Sequence, residues 1–543
     1  MRARFPIDQF ISAQNTAAES AELTFATSTF RHAPRFQSPN NRTDLVGKNQ
    51  ENSMSDKANT SASADVATGS HPKGPAHRLR GNMRTPQLVF NALAFNAPLA
   101  ALIGGVPLVI GLGGSIGAPL LFAGLGALML LFSVGYTLMA RLIPKAGAYY
   151  TFVTAGMGRP LGLGASFLAI TAYFAGLSYP LIILGITLNK LVQDHGGPNI
   201  SWWVWTLIVA GVVGILGYVN IDVSTRVLLI LVVIEVIVVV AYDLVVFGTG
   251  GQAHHVTFGS FNPATLGSGG ALIGLVLAMS MFLGFESVVV YRDEARDPER
   301  SVPRATYITV AAITIFYTIG SWAIILAFGE DQAAATIGAD PATAFLTSIQ
   351  SYLGMVIYDI SSLLFVTSVL ASVTAMHNVV ARYLFNLSSD AVLPRSLSTP
   401  HHRHGSPHRA SMLISAVTLA FIVIITVSGS DIVTVYGTLA GMTSYALIVL
   451  FFLASIAVAA YLLRTRPAGI TFWKRTIAPV AAALAMTVAL ILVTTHIELL
   501  TGSESLTGVL IFGVAGVILL GIVLALVLRR NRPEVYQQIG SQI

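Results

Sequence analysis

The sequence GGALIGLVLAMSMFLGFESVVVY (residues 269–291) runs directly into the charged segment RDEARDPERSVPRA (residues 292–305). Its apolar stretch is long enough to cross a bilayer, which needs about 20 residues in a helix. One carboxylate, Glu286, interrupts the stretch and follows Gly284 by two positions. Placing a carboxylate in hydrocarbon costs on the order of a few kcal/mol or more, so such residues are rare and are usually functional. The sequence therefore predicts a membrane helix with a site at Glu286.

The composition of the whole chain agrees with this interpretation. The 543 residues are 54% hydrophobic and 10% charged, with a mean hydropathy of +0.72, whereas soluble proteins carry about 25% charged residues. The net charge is +6, but Lys and Arg lie in short segments between apolar runs rather than on one basic face. We therefore expect the lipid bilayer, and no nucleic acid, as a partner. The chain has no Cys, which excludes disulfides, thiolate metal sites and Cys nucleophiles.

Twelve apolar segments are predicted to span the membrane. They are residues 88–110, 116–140, 161–189, 202–220, 224–247, 270–291, 305–328, 354–385, 411–428, 431–461, 474–495 and 506–528. Lys190 is the only Lys or Arg in the odd-numbered connections between these spans. The even-numbered connections carry basic residues such as Arg141, Arg292, Arg395 and Arg464. The positive-inside rule then places both termini in the cytoplasm of a cell-membrane protein.

The residues outside the spans form two predicted tails. Residues 1–80 are rich in Ser, Thr, Asn and charge, and we expect a disordered cytoplasmic N-terminal tail. Met54 is followed by an ordinary soluble start, so we hypothesise that the first 53 residues arise from an upstream error in gene calling. Residues 81–530 form the predicted membrane domain, and residues 531–543 form a cytoplasmic C-terminal tail.

Two of the predicted spans contain residues that weaken a helix. The sequence FNALAFNAPLAALIGGVPLVIGLGG (residues 90–114) covers most of span 1 and has Gly104, Gly105 and Pro107 at the depth of the membrane. An unwound segment there is tolerable only where its backbone faces a cavity or a ligand; the alternative is a simple kink. Span 6 repeats the pattern at Gly284, and paired interrupted helices in corresponding positions indicate a transporter site between inverted repeats.

Three motifs resemble those of one known family. FLGFES (residues 282–287) and EARDPERSVPRA (residues 294–305) are similar to the sixth helix and following loop of the amino acid-polyamine-organocation (APC) superfamily. PKAGAYYTFVTAGMGRPLG (residues 144–162) resembles the loop into its helix 3. ASVTAMHNVVARYLFNLSSDAVLPRSL (residues 371–397) resembles its helix 8 and the Leu-Pro that closes it. The resemblance extends over about residues 85–530.

This resemblance implies a fold and a set of substrate contacts. The all-α membrane fold would have 12 transmembrane helices, with helices 1–5 and 6–10 as inverted repeats, helices 1 and 6 discontinuous, and two extra helices. The substrate's α-carboxylate would meet Gly104 and Gly105, and its α-amino group would meet carbonyl groups around Phe282 and Gly284. In helix 1 the family's frequent Gly-Ser-Gly-Ile is replaced by Gly-Gly-Val-Pro, so the break is redrawn in this chain.

Two carboxylates are candidates for gating or proton coupling. Glu286 can respond to a proton because a buried carboxyl group changes its charge when the proton arrives; alternatively it binds the amine of a cationic substrate or bonds a neighbouring helix. Glu235 lies in LLILVVIEVIVVVAYDL (residues 228–244), with Tyr242 on the same helical face. No Lys or Arg lies within residues 228–244, which favours a proton or coupling-ion site over a salt bridge.

The predicted function is secondary active transport. We expect a permease that imports an amino acid or related amine by H⁺ symport, with Met281, Phe282 and Phe285 favouring a neutral or hydrophobic substrate. An amino acid/polyamine exchanger is the main alternative, and a channel or sensor is a weaker one. Transport driven by ATP is not expected because no GxxxxGK[ST] motif occurs. An enzyme is not expected either, because the spans lack the clustered catalytic or metal-binding residues, such as HExxH, that it would need. We expect no cofactor and no metal, and the His-rich segment at 401–408 is interpreted as a juxtamembrane loop.

Overall fold

The computed structural model describes residues 83–143, 147–219, 225–267, 269–292, 295–399, 401, 407–497 and 504–540. The predictions for residues 1–80, including the start at Met54, lie outside these residues. The described residues form helices and contain no β-strand. The helices are α1 (Thr85–Gly111), α2 (Ala118–Leu142), α3 (Ala148–Met157), α4 (Arg159–Asp194), α5 (Trp202–Val219), α6 (Thr225–Thr249), α7 (Gly269–Ser280), α8 (Ser287–Val290), α9 (Pro298–Phe328), α10 (Ala333–Ala339), α11 (Ala344–Leu353), α12 (Met355–Ser389), α13 (His408–Ser428), α14 (Ile432–Thr465), α15 (Ala478–Thr495), α16 (Glu504–Asn531) and α17 (Pro533–Gln538).

Each of the twelve predicted spans coincides with helical structure. Within the described residues, ten helices are long and apolar enough to cross a membrane. The other two spans correspond to shorter apolar helices: α5, and the span at 270–291, which is divided into α7 and α8. Length alone separates these two from the rest, because their composition is equally apolar. The prediction of an all-α membrane protein is confirmed.

Helix α1 is interrupted at Ala97, whose backbone is left-handed (φ 49°, ψ 70°). The predicted position of this break, at Gly104 and Gly105, was wrong. These two glycines end a π-helical turn, Ala101–Gly105, that continues into the helix Val106–Gly111. The break lies at Ala97 because a proline, Pro98, disfavours the α conformation in the residue before it. The wide π turn allows the helix to continue towards Pro107, which has no N–H to donate.

The second break separates α7 from α8 and covers residues 281–286. Gly284 has φ of 108°, a conformation that L side chains rarely adopt. A Cβ atom at this position would also lie 2.4 Å from Cδ1 of Phe95. Both the backbone and the close approach of α1 therefore require glycine here. The predicted break in span 6 is confirmed.

The side chain of Asn96 joins the two breaks. Its Nδ2 donates hydrogen bonds to the carbonyl oxygens of Met281 at 2.6 Å and Leu283 at 2.9 Å. Its Oδ1 accepts a hydrogen bond from the hydroxyl of Tyr317 in α9. The two carbonyl groups lie where α7 has ended, so they would otherwise lack helical partners. A single amide side chain thus holds the break in α1 against the break between α7 and α8.

Two neighbouring helices satisfy other backbone groups of the α1 break. The carbonyl oxygen of Phe95 accepts a hydrogen bond from Ser372 Oγ of α12 at 2.6 Å. The N–H of Leu99, in the first turn after the break, donates to Oε2 of Glu235 in α6 at 3.4 Å. The break is therefore held by side chains of other helices rather than by a regular helical ladder.

The C-terminal segment packs at the end of the bundle where α1 begins and α16 finishes, which we call the terminal end. The N–H of Gly540 contacts the hydroxyl of Tyr150 at 2.7 Å and Oδ2 of Asp390 at 3.0 Å, and the Tyr150 hydroxyl donates to the same oxygen at 2.7 Å. Arg159 donates to the carbonyl oxygen of Gln537 at 3.3 Å. These contacts tie α3, α4 and α12 together at the terminal end.

We expect Asn96→Ala to destabilise the protein more than Ser372→Ala. The Asn96 variant leaves the carbonyls of Met281 and Leu283 and the hydroxyl of Tyr317 without this partner, whereas the Ser372 variant affects only the carbonyl of Phe95. Each buried group left unpaired costs roughly 1–3 kcal/mol. Thermal unfolding of the detergent-purified variants measures the difference. Equal melting temperatures for the two variants would show that Asn96 does not hold the breaks together.

Candidate functional site

A cavity of about 100 Å³ lies beside the two breaks. Its walls come from the segment of α1 around and after Ala97, the last turns of α7, the middle of α4, and the first halves of α12 and α14. The cavity is thus on the side of the breaks that faces away from the terminal end. The lining residues include Asn96, Ala97, Ala100, Gly104, Gly105, Tyr179, Ile183, Leu277, Ser280, Met281, Leu283, Phe365, Val369, Ser372, Met376, Tyr436 and Ala440.

The lining of this cavity is mainly apolar. Among the described residues, no Asp, Glu, Lys, Arg or His lines it. Several of its polar side chains already bond the protein: Asn96 and Ser372 bond the breaks, and Ser280 Oγ donates to the carbonyl of Leu277 at 2.7 Å. A ligand would therefore meet apolar side chains, a few hydroxyl groups and the backbone of the breaks. Such a mixture of apolar walls and few polar groups is typical of small-molecule sites.

Two tyrosines contribute to the wall between α4 and α14. The rings of Tyr179 and Tyr436 pack edge to face with centroids 5.7 Å apart. Sequence reasoning identified neither residue, because a single tyrosine within an apolar span has no distinguishing pattern. It also missed Asn96, although the Asn-Ala-Pro sequence at 96–98 was a usable signal for a helix break.

The predicted substrate contacts divide into two groups. Gly104, Gly105 and Met281 line the cavity. Phe282, Gly284 and Phe285 are not among its lining residues. Gly284 lies against Phe95, and both phenylalanines are fully buried.

Phe285 belongs to an aromatic cluster on the terminal side of the breaks. Its ring lies 6.1 Å from Phe132, 6.0 Å from Tyr136 and 6.0 Å from Phe451, measured between centroids. Tyr136 in turn packs against Phe152 at 5.2 Å. These rings are buried or nearly so and come from α2, α3, α14 and the break itself. They fill the space between the breaks and the terminal end.

Glu286 lies within the second break and is 1% exposed. Its Oε1 accepts a hydrogen bond from the hydroxyl of Tyr173 in α4, and its Oε2 accepts one from the N–H of Gly284 at 3.0 Å. Three more tyrosine hydroxyls interact with it electrostatically and are buried without a hydrogen-bond partner among the described residues. They belong to Tyr136, Tyr149 and Tyr383. The carboxyl group is thus held by one tyrosine hydroxyl and one backbone N–H, and no described salt bridge involves it.

Glu235 is also 1% exposed and lies at the first break, outside the cavity wall. It accepts the N–H of Leu99, and the hydroxyl of Ser368 in α12 lies within its reach. Tyr242, predicted to share its helical face, instead hydrogen-bonds Ser348 at 2.6 Å. Each of the two predicted carboxylates therefore accepts a backbone N–H at one break, Glu286 within its own segment and Glu235 from its place on the neighbouring helix α6.

Other polar side chains, including the described ones of the His-rich segment, are not among the lining residues of the cavity. His377 contacts Ser411 at 2.9 Å between Nε2 and Oγ, and the guanidinium of Arg382 lies 4.6 Å from the ring centre of Tyr291. The rings of His401 and His408 pack edge to face at 5.2 Å. Residues 402–406 lie outside the described ranges of the chain.

Comparison with known proteins adds family evidence to this geometry. A family model described as amino acid permease matches residues 88–524. The branched-chain amino acid permease BcaP of Bacillus subtilis (strain 168) is 25% identical over 341 residues, which are 59% of this chain and 71% of BcaP. The low-affinity putrescine importer PlaP of Escherichia coli (strain K12) is 24% identical over 293 residues, which are 53% of this chain and 63% of PlaP. The chain thus spans less than two thirds of PlaP.

A solved structure confirms the fold. The crystal structure of MhsT in complex with L-phenylalanine matches with a TM-score of 0.53 and 18% identity, over 76% of this chain and 100% of that one. MhsT has the LeuT-like inverted-repeat transporter fold, so the predicted repeat architecture with discontinuous helices 1 and 6 is confirmed. Together with the family match over most of the length, this shows that the chain belongs to the amino acid permease family of multi-pass membrane transporters.

Proposed function

We propose that this permease transports a neutral, apolar α-amino acid across the cell membrane by alternating access, in symport with H⁺. The observation that carries the proposal is the cavity at the junction of the two breaks, with apolar walls and no charged side chain among its described lining residues. A dicationic amine would need acidic partners in such a site, because an unpaired buried charge is costly. A branched-chain amino acid, the substrate of BcaP, agrees with this choice better than putrescine, the substrate of PlaP, does.

Backbone groups at the breaks would bind the carboxylate and the ammonium group of an amino acid. The helix that resumes at Pro98 has its N-terminus beside the cavity, and its first turn includes the lining residue Ala100. A helix N-terminus attracts a carboxylate through its dipole and its N–H groups. Here Pro98 has no N–H, and the N–H of Leu99 bonds Glu235. The N–H of Ala100 is therefore the donor that we propose for the substrate carboxylate. The chain around Met281 and Leu283 offers carbonyl groups for an ammonium group. The apolar wall would then receive the substrate side chain.

The position of the cavity suggests which side of the membrane it serves. It lies away from the terminal end, and the aromatic cluster fills the opposite side of the breaks. With both termini in the cytoplasm, as the distribution of Arg and Lys favours, the cavity belongs to the outer half of the membrane. Inward release would then require the aromatic cluster to separate.

Proton coupling is assigned to Glu286. Its carboxyl group joins the second break to α4 through the hydroxyl of Tyr173. The buried hydroxyls of Tyr136, Tyr149 and Tyr383, which interact with it electrostatically, have no hydrogen-bond partner among the described residues. When the proton arrives, the group changes from an acceptor of two hydrogen bonds into a donor as well, so the contacts across the break must change. Glu235 is the second candidate, since it bonds the first break in a similar way.

We expect Gly105→Leu to abolish uptake while the protein still folds. The glycine lines the cavity, and a Cβ added there would lie 3.0 Å from the terminal methyl of Met281, so a leucine side chain would occupy the substrate space. Gly124→Leu is the matched control, because Gly124 is an exposed residue of α2 with nothing within 4 Å of an added Cβ. Uptake of labelled leucine into proteoliposomes measures the effect. Undiminished uptake by the Gly105 variant would remove this cavity as the substrate site.

We expect Glu286→Gln to lose the stimulation of uptake by an inward proton gradient. Glutamine retains an acceptor oxygen for Tyr173 or Gly284, but it cannot take up a proton. The measurement compares leucine uptake into proteoliposomes with and without an imposed pH gradient. If the variant responds to the gradient as the wild type does, the coupling group is not Glu286.

The same assay on Glu235→Gln separates the two carboxylates. We expect this variant to lower uptake under both conditions, because the amide that replaces Glu235 is a weaker acceptor for the N–H of Leu99. Loss of gradient stimulation in this variant alone would assign coupling to Glu235. Wild-type uptake that needs internal amino acid and ignores the gradient would favour the exchanger.

A further inference from the structure

We propose that the side chain of Met281, which lies on Gly105, is the movable wall that sets the size of the substrate side chain. The inference rests on the proposed function, since it concerns the choice among apolar amino acids in the same cavity. It assigns a specificity role to a pair of residues on opposite sides of the junction: Met281 follows α7, and Gly105 lies in α1.

The backbone of Met281 is held at the junction by a hydrogen bond, and its side chain lies between α1 and the cavity. Its carbonyl oxygen accepts the 2.6 Å hydrogen bond from Asn96, which holds the residue at the junction of the breaks. Its side chain extends to α1, where a Cβ on Gly105 would lie 3.0 Å from Cε, 3.1 Å from Sδ and 3.6 Å from Cγ. Three side-chain atoms of the methionine thus lie over one glycine. The methionine is 9% exposed and lines the cavity.

The chemistry of methionine suits a wall that moves. Its unbranched thioether has three rotatable bonds and adapts to irregular spaces. Because Gly105 has no side chain, the thioether can lie flat against the helix and leave the cavity wide. A methyl group on Gly105 must displace the end of the thioether from α1 by a few tenths of an ångström, and the neighbouring open space is the cavity.

The adjacent glycine gives a matched comparison. A Cβ on Gly104 would meet only Cδ1 of Ile183, at 3.9 Å, which is ordinary van der Waals contact. Alanine at either position adds the same methyl group to the same turn of α1. Only alanine at 105 must displace Met281. A difference between the two variants therefore reports on the methionine rather than on helix propensity.

The test measures relative affinities for a large and a small apolar amino acid. Competition of phenylalanine and of alanine against labelled leucine uptake is determined in proteoliposomes for the wild type, Gly105→Ala, Gly104→Ala, Met281→Ala and the double variant Gly105→Ala/Met281→Ala. Apolar pockets discriminate by about tenfold or more for each methylene that does not fit. We expect the preference for phenylalanine over alanine to fall severalfold, by about tenfold at most, in Gly105→Ala and to rise in Met281→Ala. Gly104 also lines the cavity, so alanine there can lower the uptake of every substrate. We expect the ratio of the two affinities to stay within about twofold of the wild type in Gly104→Ala, and to return towards the wild type in the double variant.

The possible failures are distinguishable. If the preference changes equally in Gly104→Ala and Gly105→Ala, or if Gly105→Ala has the same effect with and without Met281, the methionine does not set the size. An unchanged preference in Met281→Ala also overturns the inference, while leucine uptake by the wild type leaves the proposed function standing. A wild type that takes up no amino acid overturns the proposed function itself. Melting temperatures confirm that each variant compared is folded.

Discussion

The hydrogen bonds of the Asn96 side chain are the contacts on which the arrangement of the site depends. Two helices that stop within a membrane leave backbone groups that neither lipid nor a regular helix satisfies, and each such group costs roughly several kcal/mol if it stays unpaired. Asn96 donates to two carbonyls of the second break and accepts from Tyr317. Because these bonds run from one break to the other, the breaks have to lie side by side. The cavity lies beside that junction.

The same requirement explains why two carboxyl groups are buried in an apolar bundle. Glu235 accepts an N–H of the first break, and Glu286 accepts an N–H of the second. Each acid therefore has a structural partner and is not an isolated charge in hydrocarbon. These bonds also connect protonation to backbone position, since a protonated carboxyl group offers different hydrogen bonds from a carboxylate. A residue that stabilises a break is thus also placed to change it, which links the fold to the proposed coupling.

The membrane spans and the second break could be predicted from the sequence because each has a local signal in its own residues. Runs of apolar residues identified every span, and Gly284 marked the second break through a backbone angle that other residues rarely adopt. The first break was misplaced because composition drew attention to Gly104, Gly105 and Pro107. A π turn allows a helix to continue past such residues. The aromatic contacts of Phe285 and the hydroxyl groups around Glu286 depend on helices far apart in sequence, so no local pattern indicates them.

The position of the first break, at Ala97 rather than at the predicted Gly104 and Gly105, also shapes the wall of the cavity. With the break located at Ala97, Gly104 and Gly105 are not needed to unwind the helix. They remain as a smooth stretch of α1 on the cavity wall, and their lack of side chains leaves room for Met281 to lie across one of them. The break and the substrate contacts, both predicted at Gly104 and Gly105, thus lie at different positions along α1. Asn96, Ala97 and Pro98 form the break, whereas the glycines shape the space beside it.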